Sequence, residues 1–170
     1  RDERSPKFFK EDKLTFGIGL RHWSRSEVLK SSIFWFAFPG LLGLPAFGTV
    51  LFFQQVNYAS LKGWDHLSMV KAYPLFTIVA VGISFLSGSL IDRYSAIKLI
   101  GFYQIPAILG FYIFSVCETL VGFSIGLICF AITAGSNNII PNAFWAECFG
   151  TASLGKIKAL AAGVMVVGSA

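Results

Sequence analysis

Formal charge is what this sequence has least of. Only 23 of its 170 residues are Asp, Glu, Lys or Arg, and the resulting 14% falls well below the roughly 25% of an ordinary soluble domain. Three cysteines are too few for a disulfide scaffold. With 55% hydrophobic residues, 18 of them Phe, the chain has far too much apolar side chain to be disordered. The mean hydropathy of +0.67 argues against a soluble globular domain, because a core of this size cannot hide so much apolar surface. The net charge of +5 does not point to a nucleic acid once the positions of the charges are considered.

The uncharged stretches are long. Residues 31–61, 72–91, 99–117 and 119–146 contain no Asp, Glu, Lys or Arg, and neither do the 12 residues after Lys158. About 20 mainly apolar residues take a helix across the hydrocarbon core. Backbone polar groups in lipid must be satisfied within the segment, so such runs fold as helices. The alternation of a membrane β-barrel is missing. These runs predict an all-α membrane protein, with helices near 32–57, 70–91, 98–116 and 119–142 and a fifth over 155–170 that is cut short. Residues 1–30 form a basic linker and interfacial helix, and 31–170 the membrane part.

The basic residues set the orientation. Eight of 14 Lys and Arg lie in the first 30 residues. Arg93, Lys98, Lys156 and Lys158 fall on the same side, and only Lys62 and Lys71 on the other. This asymmetry predicts a cytoplasmic N-terminus. Trp23, Trp35 and Trp145 then lie near the cytoplasmic boundary and Trp64 near the outer one, as an aromatic belt would have them. No initiator Met is present and the last run stops at Ala170, which leads us to expect a piece of a longer chain.

Local signals follow. Ser24-Arg-Ser-Glu27 reads as a capping box. Pro39 and Pro45 among Gly40, Gly43 and Gly48 predict a kink or break in the first span, a feature of transport sites, although Pro and Gly are also simply common in membrane helices. Asp65 reads as a helix N-cap. The short link at Glu118 makes the third and fourth helices a tight hairpin. Gly122-xxx-Gly126, Ala131-xxx-Gly135 and Ser84-xxx-Gly88 are close-packing motifs. Cys117, Cys129, Cys148, His22 and His66 show no metal or redox spacing, and His66 reads as a solvated loop residue. No cofactor, metal site or catalytic set is visible. Gln54, Gln55 and Asn57 lie in the outer third of the first helix, and Ser136, Asn137 and Asn138 in the cytoplasmic third of the fourth. Amides are costly facing lipid, so they should face inward, as packing groups or as ligands.

The most specific stretch is Gly88-Ser-Leu90-Ile-Asp92-Arg93-Tyr-Ser95-Ala-Ile-Lys98. It resembles the Gly-x-Leu-x-Asp-Arg-x-Gly signature of the major facilitator superfamily. Ser95 stands where the family has Gly, and Lys98 alone remains of the following basic pair. Glu27-Val-Leu-Lys-Ser-Ser-Ile-Phe34-Trp35 is similar to the entry to the family's seventh helix. Ala146-Glu147-Cys-Phe149-Gly150, with Gly155, Ile157 and Lys158, is similar to the loop between its tenth and eleventh. The resemblance implies a major-facilitator-type bundle: the C-terminal half of a twelve-helix secondary transporter, helices seven to eleven, in the bacterial inner membrane and in the carboxylate-type branch. It implies alternating access for a small-molecule substrate, with a coupling proton or ion, the lipid bilayer and the missing N-terminal half of the chain as partners, and no nucleic acid. It implies a cytoplasmic gate of Gly88, Leu90, Asp92, Arg93, Lys98, Glu147 and Lys158, in which Arg93 pairs with Glu147 and Asp92 faces a helix N-terminus; the other reading of these charges is a set of solvated loop residues. Gln54, Gln55, Asn137 and Asn138 become candidates for the substrate cavity, with Thr49 and Tyr73 as weaker ones. The third helix is expected towards lipid. The alternative function is a non-transporting membrane sensor or assembly protein on the same fold. No span carries a charge in its interior, so any residue that binds an anion or couples protons should lie outside these helices.

Overall fold

The computed structural model describes residues 23–151 and 154–169. The expected linker over 1–22, with His22, lies outside them. The described residues are helical with short links: α1 (Arg25–Lys30), α2 (Ser32–Leu61), α3 (His66–Val70), α4 (Tyr73–Tyr94), α5 (Ala96–Leu99), α6 (Ile105–Val116), α7 (Leu120–Asn137), α8 (Ile140–Phe149) and α9 (Leu154–Ser169). Three helical stretches are long and apolar enough to cross a membrane: Ser32–Leu61, His66–Tyr94 and Leu120–Phe149. Phe36, Phe53 and Phe85 are largely exposed.

The breaks do not fall where the prolines of the first run suggested. α2 continues through Pro39 and Pro45 as one 30-residue helix. The third run is instead interrupted between Leu99 and Ile105, and the fourth between Asn137 and Ile140. Each restart carries a proline in its first turn, Pro106 in α6 and Pro141 in α8. There the missing N–H costs nothing, because the first amides of a helix have no partner within it. A proline inside a continuing helix would instead remove a bond and crowd the carbonyl one turn back.

Several local expectations are met. Glu27 reaches back to accept from the Ser24 amide and hydroxyl, both at 2.8 Å. Asp65 caps α3 by accepting from the Ser68 amide at 3.1 Å. Cys117–Thr119 makes the tight link between α6 and α7, with Thr119 Oγ1 accepting from the Gly122 amide.

Two hydrophobic cores form, one at each end. One gathers Val28, Phe34, Leu41, Ala96, Phe144, Trp145, Phe149 and Ile157. The other gathers Leu51, Ala59, Met69, Ala107, Phe114, Phe123, Leu127 and Phe130. The breaks in the third and fourth runs fall between the two. Trp145 belongs to the first core, 2% exposed and stacked on Phe149, so it is not a belt residue. Trp35 fits a belt better: it is half exposed, and its indole N–H donates to the Leu29 carbonyl at 2.7 Å. His66 is also not simply solvated, since its Nε2 is buried with no hydrogen-bond partner among the described residues.

α7 is the central helix, packed on α6 and on α4, while α9 packs on α2. Small residues set the approach. A Cβ on Gly110 would lie 2.8 Å from the Gly126 carbonyl oxygen, and one on Gly135 would overlap the Ala80 carbonyl. Beside that contact Ser84 Oγ donates to the Gly135 carbonyl at 2.9 Å, and the Ser87 and Ser136 hydroxyls pair at 3.0 Å.

Candidate functional site

The motif loop is built around Ser95. α4 ends at Tyr94, and Ser95 turns the chain with φ 72° and ψ 142°, a region that L side chains rarely adopt. This backbone accounts for the glycine of the family signature at this position. α5 starts at once, so its first amides need an acceptor from elsewhere. Glu147 of α8 supplies it. Its carboxylate accepts from Ser95 Oγ at 2.5 Å, from the Ala96 amide at 3.1 Å and from the Ile97 amide at 3.3 Å. The contact ties the motif loop to the fourth run, and the positive end of α5 favours the negative charge.

The expected division of labour is therefore corrected. Glu147, not Asp92, faces a helix N-terminus. Arg93 makes no ion pair with Glu147 among the described residues; its guanidinium carbon lies 5.5 Å from the Tyr94 ring centroid. The physical reason is that buried amides must be satisfied, whereas an exposed ion pair contributes only about 0–1 kcal/mol. Asp92, Arg93 and Lys98 are exposed, as is Leu90, and Lys158 is half-buried. A Cβ on Gly88 would meet nothing within 4 Å. Of the seven gate candidates, the structure places Glu147 alone in the loop's hydrogen bonding.

A second polar group lies between the two cores, where the third run breaks. Gln104 Nε2 donates to the Gly40 carbonyl of α2 and to the Tyr103 hydroxyl, the latter at 3.0 Å. The Tyr103 hydroxyl lies 3.2 Å from the same carbonyl and 3.5 Å from Asn137 Oδ1. Thr133 of α7 bridges the break: its Oγ1 accepts from the Ala107 amide at 2.9 Å and donates to the Tyr103 carbonyl at 3.1 Å. The third run was expected towards lipid, but at its break it turns Tyr103 inward, 6% exposed. The isosteric change Thr133→Val leaves both backbone groups without that partner. It should lower stability by about 1–2 kcal/mol, read as a fall in melting temperature of the purified protein in detergent; an unchanged melt would show that the bridge contributes nothing.

Three cavities flank this layer. One of about 400 Å³ is lined by Thr49, Phe52, Phe53, Phe76, Phe130 and Asn137 among others. Two of about 550 and 440 Å³ lie on the other side of α2, and Gln104 lines both. Of the amides expected in a substrate cavity, Asn137 lines the first. Gln55 accepts from the Tyr73 hydroxyl at 2.7 Å. Gln54 and Asn138 are exposed and line none of the three, and the Asn138 carbonyl accepts from the Asn142 side chain. The residues that sequence reasoning missed are Ser95 as an acceptor-bound turn, Tyr103, Gln104 and Thr133. The signal for the middle pair was present: Gln104-Ile-Pro106 reads as a helix start inside an apolar run.

Among the described residues no three potential metal ligands come together. A family model described as Major Facilitator Superfamily matches residues 1–170. No curated protein and no solved structure matches the chain.

Proposed function

The chain belongs to the Major Facilitator Superfamily, a family of membrane transporters of small solutes, and we propose that it acts as the C-terminal half of a secondary transporter working by alternating access. In this reading the end carrying the motif loop is cytoplasmic, the membrane is a bacterial inner membrane, and a first half of the same protein completes the solute path. A carboxylate substrate or a coupling proton would need its charged partner in that first half, because among the described residues no Asp, Glu, Lys or Arg lines the cavity beside Asn137.

The observation that carries this reading is the division of labour in the motif loop. Glu147 locks the loop onto α8, while Asp92 and Arg93 remain exposed beside it. Two charges held next to a rigid, strained turn are suited to engage a second body that docks in one state of the cycle and leaves in the other. The test is Asp92→Asn in the full-length protein, reconstituted in vesicles and assayed for uptake with and without a proton gradient. The gate predicts at least about a tenfold loss of rate, that is 1.4 kcal/mol or more on the barrier. The melting temperature should not move, since Asp92 has no hydrogen-bond or ion-pair partner among the described residues. Unchanged uptake would sink the gate.

A further inference from the structure

We infer that the cavity beside Asn137 receives an uncharged, planar apolar portion of the solute, and that Asn137 reads a hydrogen-bond acceptor on it. The inference rests on the transport reading for its context and names the substrate class of that site.

The walls are aromatic. Phe76 stacks on Phe130 at 6.1 Å with 25° between the rings, and Phe52 meets Phe76 edge-on at 6.3 Å. Phe53 is 83% exposed beside them. Such faces and edges attract flat apolar groups through burial and offset stacking. The volume of about 400 Å³ has room for a bicyclic ring.

The polar atoms are few and mostly engaged. Thr49 Oγ1 donates its proton to the Pro45 carbonyl at 2.6 Å, the back-bond of a helical threonine to the carbonyl one turn earlier. Asn137 is different, because a directional chain orients it. Gln104 has two amide protons, one for the Gly40 carbonyl and one for the Tyr103 oxygen. The single Tyr103 proton is then shared between the Gly40 carbonyl at 3.2 Å, already served by Gln104, and Asn137 Oδ1 at 3.5 Å. Each bond polarises the next. The Asn137 amide is thereby held by its oxygen, and its N–H groups have no partner among the described residues. A lining side chain with two unused donors, in a wall without formal charge, selects a carbonyl or ether oxygen. A carboxylate would lack a counter-charge here, and an ammonium would face donors; burying either charge unpaired is costly.

The experiment uses the full-length protein in lipid nanodiscs, with empty nanodiscs subtracting partition into lipid. The probes share one ring and differ in one group: 2-acetylnaphthalene, 2-ethylnaphthalene, 2-naphthoate and 2-naphthylmethylammonium. Saturable binding should be tightest for the ketone. Asn137→Leu should weaken the ketone by about five- to tenfold, the size of one neutral hydrogen bond, and leave the hydrocarbon unchanged. Tyr103→Phe, which lies outside the cavity lining and frees the amide to turn, should weaken the ketone by a smaller factor, again sparing the hydrocarbon; a merely structural role would weaken both alike. Melting curves of the ligand-free variants keep the comparison to folded protein. Equal binding of ketone and hydrocarbon, tighter binding of either charged probe, or an Asn137→Leu protein that keeps the ketone's affinity overturns the inference. Ketone binding in a protein that moves no solute would overturn the transport reading and leave the site standing. Transport of another solute without ketone binding would do the reverse.

Discussion

A Gly135→Val protein is expected to lose its tertiary structure. α7 crosses α4 so closely at this point that even a Cβ on residue 135 would sit inside the Ala80 carbonyl group. The obstacle is backbone in the middle of a 22-residue helix, not the tip of a flexible side chain. Relief therefore requires the two helices to move apart. That separation breaks the Ser84–Gly135 hydrogen bond and the Ser87–Ser136 pair together. Overpacking alone costs about 1–3 kcal/mol, and the two polar contacts add about 1 kcal/mol each. A sum of that size rivals the whole stability of a marginal protein. The protein should elute as aggregate in fluorescence-detected size exclusion and show no cooperative melt. Gly82→Ala, on the same helix as Ala80, provides the control. A Cβ there meets nothing within 4 Å, so the change should be neutral or mildly stabilising through helix propensity. If Gly135→Val melts as the wild type does, the close crossing is wrong.

Glu147→Ala is the second large effect, and it should appear in both stability and transport. Removing the carboxylate deprives two backbone amides and one hydroxyl of their acceptor at once. Leaving such donors unsatisfied costs about 1–3 kcal/mol. The strained Ser95 turn loses its anchor too, so the loop should relax and the gate lose its fixed shape, with uptake falling by about tenfold or more. Glu147→Gln keeps one acceptor oxygen but not the charge that the α5 terminus favours, and should fall between Ala and wild type. Ser95→Gly probes the same contact from the other side. It relieves a backbone region that costs about 1–3 kcal/mol for a residue with a Cβ and gives up one hydrogen bond to a charged carboxylate of about 1.5–3 kcal/mol, so alone it should be close to neutral. Combined with Glu147→Ala, a double-mutant cycle should show coupling, because the Ser95 bond can be lost only once. Additive effects with unimpaired uptake would remove Glu147 from the gate.

What could be read beforehand follows from which forces act locally. The scarcity of charge and the lengths of the uncharged runs led to the all-helical membrane fold, because solvation by lipid dominates every residue in a span. Caps such as Ser24–Glu27 and Asp65–Ser68 were legible since their partners are three residues apart. The breaks were misplaced for a traceable reason. Charge counting treats residues 99–117 and 119–146 as uniform, whereas Pro106 and Pro141 each mark a fresh helix start. Pro39 and Pro45 drew the attention instead, and α2 absorbs both. Glu147 could be picked out beforehand from the loop it shares with Gly155 and Lys158, but its partner could not. The donors it meets are backbone amides 50 and 51 residues away, exposed only because Ser95 takes a positive φ. No pairing rule for charged side chains contains that information. Asn137 was picked out by its polarity and by the family resemblance, while the Gln104–Tyr103 chain that orients it depends on a break invisible to charge counting.

The separation into two cores has a mechanical meaning. A rod of even stiffness spreads a bend along its length, while a rod with one soft section gathers the curvature there. α2 crosses the layer between the cores at Pro39–Pro45, and the third and fourth runs cross it at their interruptions. Gln104, Tyr103 and Asn137 bind these crossings to one another at a single height. Where a helix is interrupted it lacks backbone hydrogen bonds that resist bending, so the third and fourth runs oppose a bend least in this layer. Bending strain entering the described helices is therefore expected to gather in this layer, on which the cavity beside Asn137 opens.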